Sequence, residues 1–215
     1  MKQKSFFLKS EGNSFYERNK ESRSNIDFSN DPIVLELDYL YKIKGIINKK
    51  SPLKVLEIGC GDCKRGKYLM KKFNIEYYGV DPSTKSVKFC RDNNIKAFTG
   101  SADNLDFKSN YFDIVIYGFC LYLCDREDLP KIFNEANRVL KKKSWVIILD
   151  FFSHKEISKP YKHFKGITSY KCDYRKMFDV NLFTCYSHKI FDHETFNFTS
   201  KANDWISISS FRKNK

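Results

Sequence analysis

The sequence predicts an α/β fold: a mostly parallel, doubly wound sheet of seven strands, closed at one edge by an antiparallel strand pair. Three observations carry this expectation. Short apolar runs alternate with helical patterns from Val55 to Leu149, the arrangement that builds a parallel sheet covered on both faces. The first run ends in Gly59-x-Gly61, directly before a helical stretch, as a turn that admits a ligand to bare backbone requires. The tail then breaks the alternation. Leu182 to Ile190 and Trp205 to Phe211 are strand-like with no convincing helix between them, and an antiparallel pair is the simplest account.

The elements follow in order. Residues 1–30 read as polar and irregular, with aromatics at Phe6, Phe7, Phe15 and Tyr16. From Pro32, the apolar positions Ile33, Leu35, Leu37, Leu40, Ile43, Ile46 and Ile47 recur at helical spacing, with Asp31 as N-cap. Val55–Ile58 is a buried strand, Lys64–Phe73 a helix, and Tyr77–Val80 a second strand. Ser83–Asn93 is a helix and Lys96–Phe98 a third strand. Phe112–Tyr117, a helix over Leu129–Leu140 and Trp145–Leu149 complete the alternating part. One domain is expected: an N-terminal lid and helix (1–50), a core (52–150), an insertion (151–180) and the strand pair (181–215).

A chain of 215 residues can bury a real core without disulfides or metals, and 41% hydrophobic content argues against disorder. No apolar run reaches the length of a membrane span, and the first eight residues hold too short an apolar stretch for a signal peptide. The expected location is therefore cytoplasmic, with no membrane partner. Seven scattered cysteines read as reduced thiols. The net charge of +13 would attract anions from nucleic acid to phosphorylated metabolites. The lysines are nevertheless spread along the chain, as on any solvated surface.

The sharpest feature is Val55-Leu56-Glu57-Ile58-Gly59-Cys60-Gly61-Asp62-Cys63. A helix beginning after such a turn offers free N–H groups to a ligand. Asp81 ends the second strand, which in a doubly wound fold sets its carboxylate beside the turn, where ribose hydroxyls can donate to it. A dinucleotide fingerprint would carry a third glycine where Lys64 stands. Glu57 before the turn would repel a pyrophosphate but attract the ammonium of a methionine moiety.

Glu57-x-Gly59-x-Gly61 resembles the first motif of class I S-adenosylmethionine-dependent methyltransferases, with Cys63 in place of its last glycine. Tyr78-Gly79-Val80-Asp81, followed by Pro82, is similar to their second motif, whose acid holds both ribose hydroxyls. Gly100-Ser101-Ala102-Asp103-Asn104-Leu105-Asp106-Phe107 resembles a third, in which the residues at Ser101 and Ala102 face the adenine. Phe112–Val115 with Tyr117-Gly118 resembles the fourth-strand motif, whose end at Tyr117 borders the methionine part. The resemblance spans roughly residues 52–150. It implies a Rossmann-like methyltransferase fold, S-adenosylmethionine as cofactor, and Glu57, Gly59, Cys60, Gly61, Asp81, Pro82, Ser101, Ala102 and Tyr117 around it.

The two ends should carry substrate choice. Residues 11–19, with Gly12, Tyr16, Arg18 and Asn19, resemble a segment of small bacterial methyltransferases of surface-polysaccharide (capsule and O-antigen) biosynthesis. Folded over the cofactor, Tyr16 would shield the methionine and Arg18 pair with its carboxylate; alternatively the segment is an aromatic anchor packed on the core. Residues 155–176 carry seven basic and two acidic side chains at a position where the family places substrate-recognition insertions. Lys162, Tyr170, Lys171 and Arg175 are its candidate binders of an anionic acceptor, and a solvated connection is the plainer reading. Tyr122 lies where the family's cleft opens, and His163 is the first candidate base. His154 is a second candidate, whereas His188 and His193 read as surface histidines. Cys60 and Cys63 have zinc-like spacing but no second pair, so no metal is expected.

These features predict O-methylation of a small anionic metabolite, such as a nucleotide-linked or phosphorylated glycan precursor. An RNA or protein methyltransferase and a non-catalytic S-adenosylmethionine-binding domain are the alternatives. Oligomeric state is not legible.

Overall fold

The computed structural model describes residues 2–22, 26–43 and 51–214. Its elements run α1 (Gln3–Phe6), a π-helical turn over Phe7–Glu11, α2 (Gly12–Asn19), α3 (Pro32–Lys42), β1 (Leu53–Ile58), α4 (Lys64–Lys72), β2 (Ile75–Asp81), α5 (Thr84–Asp92) and β3 (Lys96–Thr99). There follow β4 (Phe112–Gly118), α6 (Leu129–Val139), β5 (Leu140–Phe151), β6 (Ile157–Pro160), β7 (Thr168–Lys171), β8 (Phe183–Asp192) and β9 (Trp205–Lys213). The main sheet has seven strands in the order β3-β2-β1-β4-β5-β9-β8. The first five are mutually parallel. β9 runs antiparallel to both β5 and β8. This is the expected Rossmann-like methyltransferase fold, and β6 with β7 adds a separate antiparallel hairpin.

Strand alternation divides the core into two layers. Val55, Ile114, Ile116, Trp145, Ile147 and Leu149 pack with Ile33, Val34, Leu37 and Leu40 of α3 and Leu69 of α4. Leu56, Ile58, Val115, Tyr117, Val146 and Ile148 face the other way, onto Ile132, Phe133, Ala136 and Val139 of α6. A smaller cluster seats Val87 and Cys90 of α5 on Tyr77 and Ala97. Near-complete burial of both faces explains why these strands read as continuous apolar runs.

Three expectations change. Within the N-terminal stretch expected to be irregular, Gln3–Asn19 forms one helical path. Its interleaved polar and aromatic residues and the π-turn at Phe7–Glu11 obscure the period that would have marked it. The helix from Pro32 stops at Lys42, because Ile43 is extended; Ile46 and Ile47 lie outside the described residues. Leu35 is half-exposed, and Val34 takes the buried position instead. Finally, Cys63 and Cys90 are joined by a disulfide, so those two cysteines are not free thiols.

Candidate active site

The carboxyl ends of β1 to β4 open into a cavity of about 490 Å³, at the crevice where strand order reverses between β1 and β4. Gly59 and Gly61 form its floor with φ of +74° and +52°, a left-handed region that a side chain would strain. The turn is tied to β2 by Gly59 and Cys60, whose N–H groups both donate to the Val80 carbonyl. Asp81 holds the turn from the other side. Its Oδ2 accepts from Gly61 N at 2.9 Å and its Oδ1 from Ser83 N at 2.8 Å. The close helix–strand approach that a third glycine would serve occurs at Gly66, where a Cβ would fall 2.2 Å from the Tyr77 ring.

Of the sequence-predicted cofactor residues, Tyr16, Gly59, Gly61, Asp81, Pro82, Ser101 and Ala102 line this cavity. The other four do not. Cys60 is buried beneath the turn, beside Gly79. Tyr117 points into the core, where its hydroxyl donates to the Ile132 carbonyl at 3.3 Å; Gly118 and Phe119 border the cavity in its place. Arg18 pairs with Glu11 and donates to Tyr161 Oη at 3.1 Å, because buried Glu11 is the nearer anion. Glu57 is fully buried and accepts from Arg65 and from Tyr77 Oη.

Arg65 is the residue that sequence reasoning missed. It borders the cavity, donates through Nε to Asp31 Oδ2 at 3.0 Å and pairs with Glu57 through Nη1. Burial disfavours its charge, but the Glu57 and Asp31 carboxylates outweigh that and hold the guanidinium ionised. A Cβ on Gly118 would sit 2.8 Å from Arg65 Nη1, so a bare glycine at the end of β4 makes room for the pair. Asp31 therefore does two jobs, since its Oδ1 caps α3 by accepting from Ile33 and Val34.

The N-terminal helical path covers the cavity. Phe7, Leu8, Phe15 and Tyr16 line it from above. Gly12 meets the rim so closely that a Cβ would lie 3.0 Å from Ser83 N. Asn13 Oδ1 accepts from Ser83 Oγ and Lys85 N at the start of α5. Gln3 bridges to the β6–β7 hairpin by accepting from Thr168 N at 2.6 Å and donating to the Leu123 carbonyl at 2.9 Å.

Tyr122 lines the cavity; burial holds its hydroxyl protonated far above the ordinary range. His163 does not line it. The residue is exposed and packs edge-on to Tyr161 at 5.3 Å. The imidazole on the cavity is His193, from the β8–β9 connection, set against Phe119 and Phe151. Nothing local in the sequence marks it, because the pairing of β8 with β9 is what delivers it. The predicted acceptor binders are also elsewhere. Lys162 is exposed, Tyr170 lies under the Arg126 guanidinium at 4.0 Å, and Arg175 is paired with Asp173 at 2.8 Å. Lys171 donates to the Asn203 carbonyl, beside a second, smaller cavity. Tyr170, Lys171 and Arg175 are thus engaged by other parts of the chain.

Comparison with known proteins agrees with this geometry. Residues 56–148 match a family described as a methyltransferase domain. An uncharacterized protein of Methanocaldococcus jannaschii is 36% identical over 93 residues, 43% of this chain and 42% of that protein. The chain thus spans about two fifths of that relative's length. Among solved structures, the Burkholderia thailandensis 1,6-didemethyltoxoflavin-N1-methyltransferase, with bound 1,6-didemethyltoxoflavin and S-adenosylhomocysteine, is similar. Its TM-score is 0.73 at 14% identity, covering 98% of this chain and 89% of that one. A chain from the Haloferax volcanii complex of the Trm112 methyltransferase activator gives 0.70 at 13% identity, covering 97% and 98%. At such identities the likeness is one of fold. Among the described residues, no helix is long and apolar enough to cross a membrane.

Proposed function

We propose that the chain is an S-adenosylmethionine-dependent methyltransferase acting on a small molecule. The carrying observation is the Gly59–Gly61 turn clamped by Asp81 at the mouth of the cavity. Its bare backbone and the Asp81 carboxylate fit a nucleoside with two free ribose hydroxyls. Asp31, Glu57 and Arg65 together carry one net negative charge, which suits the ammonium of a methionine moiety. Ser101, Ala102 and Asp103 would border the adenine. Bound S-adenosylmethionine supplies an electrophilic methyl group on a sulfonium.

The protein's own contribution is alignment and exclusion of water. Phe7, Phe15 and Tyr16 form an apolar cover over the turn, which acts as a lid. His193 is positioned to take a proton from an acceptor hydroxyl or ring N–H, the task for which an imidazole is best suited near neutral pH. Tyr122 orients the acceptor as a hydrogen-bond donor.

For the acceptor, the sequence pointed to an anionic glycan precursor. The cavity argues for a neutral, ring-bearing acceptor instead. Seven aspartates line it against Lys4, Lys20 and Arg65, and the cations of residues 155–176 are not among the lining residues. The Burkholderia methyltransferase of similar fold holds a didemethyltoxoflavin, which is consistent with that class. Incubation with methyl-labelled cofactor and fractionated cell extract tests the proposal. Label is expected in the uncharged small-molecule fraction. Label confined to RNA or protein would overturn the acceptor class, and absence of any transfer would leave only a binding domain.

A further inference from the structure

Three sulfurs meet behind the cofactor turn. Cys60, Cys63 and Cys90 are buried, and their Sγ atoms all lie within 4.8 Å of one another. They also surround one oxygen. The Gly61 carbonyl lies 3.8 Å from Cys60 Sγ, 3.9 Å from Cys63 Sγ and 3.3 Å from Cys90 Sγ. Cys60-x-x-Cys63 has zinc-like spacing but no second pair in the sequence; the packing of α5 on β2 brings Cys90 to it.

We propose that, when reduced, Cys60, Cys63 and Cys90 bind one thiophilic d¹⁰ cation of the zinc class, with the Gly61 carbonyl as fourth donor. Tetrahedral zinc with bonds of about 2.3 Å to sulfur and about 2.1 Å to oxygen sets S···S edges near 3.8 Å and S···O edges near 3.6 Å. The S···O separations already fit to within a few tenths of an ångström, and the sulfurs need shifts of no more than about 1 Å. Space is provided by Gly79. A Cβ there would lie 2.6 Å from Cys60 Sγ and 3.1 Å from Cys63 Sγ, so a side chain on β2 would scatter the cluster.

The Cys63–Cys90 disulfide is the oxidised state of the same site. A dithiol reductant cleaves it by exchange, giving two cysteine thiols and the reductant's cyclic disulfide. One divalent ion then displaces three protons from three thiols, leaving a tris-thiolate complex of net charge −1. A small-molecule disulfide reverses the sequence by exchange: the Cys63–Cys90 bond forms, the oxidant leaves as two thiols, Cys60 takes up a proton and the ion is released. Because Gly61 also donates to Asp81, the ion would tie the cofactor turn, the start of α4 and the last turn of α5 into one unit.

The test uses the full chain, reduced with a phosphine and titrated with cobalt(II) as a spectroscopic stand-in. The expected result is a thiolate-to-cobalt charge-transfer band saturating at one ion per chain and abolished by excess zinc. The band should disappear in Cys60→Ser, Cys63→Ser and Cys90→Ser and survive in Cys124→Ser and Cys185→Ser. Should the serine variants fail to fold, alkylation of wild type in partial denaturant decides. Zinc should then protect Cys60, Cys63 and Cys90 and leave Cys185 reactive. No band in folded, reduced protein would overturn the proposal. So would a band indifferent to these three residues, or unfolding of the chain on reduction despite added zinc.

Discussion

Arg65 holds two carboxylates at once, and its loss should be felt in both stability and binding. Arg65→Met would leave Glu57, which is 0% exposed, with Tyr77 as its recorded partner. Breaking one side of a buried pair costs about 3–5 kcal/mol, measurable as a lower urea midpoint. Arg65→Lys should rescue little, since an ammonium cannot span Asp31 and Glu57 as a guanidinium does. Adding Glu57→Gln to Arg65→Met should recover part of the loss in a double-mutant cycle; simple additivity would mean that the pair is not coupled. His193→Ala should cut turnover by about 10²-fold or more with cofactor affinity unchanged. An equal turnover would remove the base from the mechanism. Asp81 and the two glycines could be read because their chemistry is local: a strand, a turn and an acid in fixed order. Arg65 and His193 could not, since one needs Gly118 to make room and the other arrives through a hairpin far along the chain.

At the scale of elements, the N-terminal helical path is the part most open to challenge. It docks through Asn13 on α5, through Gln3 on the hairpin and through Glu11 and Arg18 on Tyr161. Deleting residues 2–19 should leave the sheet and its helices folded, because both main core layers lie outside that path. Affinity for S-adenosylhomocysteine should fall by more than about tenfold, the equivalent of 1.4 kcal/mol. Unchanged affinity with a lower melting temperature would make the path a packing anchor instead of a lid. The alternating strands and helices were legible from periodicity and punctuation, because burial on two faces demands apolar runs. The helical form of Gln3–Asn19 was not legible. Its partners are a loop, a helix start and a hairpin, so its polar residues follow those contacts and show no helical stripe.

At the scale of the whole molecule, buried Asp150 and half-buried His188 bend the pH dependence of stability in opposite directions. Burial raises Asp150 to about 7, against the pull of the backbone N–H groups it accepts from. Between roughly pH 4 and pH 7 the folded chain keeps a proton there that the unfolded chain has lost, so stability falls as pH rises. Burial lowers His188 to about 4. Between about pH 4 and pH 6.5 the unfolded chain binds a proton that the folded chain refuses, so stability rises with pH. The two contributions should therefore nearly cancel between about pH 4 and pH 6.5. Asp150→Asn should show a rising profile and His188→Gln a falling one; parallel profiles in all three proteins would refute both assignments. The central claim, however, is that the cavity beside Asp81 holds S-adenosylmethionine, and calorimetry with S-adenosylhomocysteine tests it most directly. A one-to-one complex is expected, weakened by roughly 3 kcal/mol or more in Asp81→Ala through loss of two hydrogen bonds to a charged acceptor. Absence of binding, or an affinity indifferent to Asp81, would contradict the account.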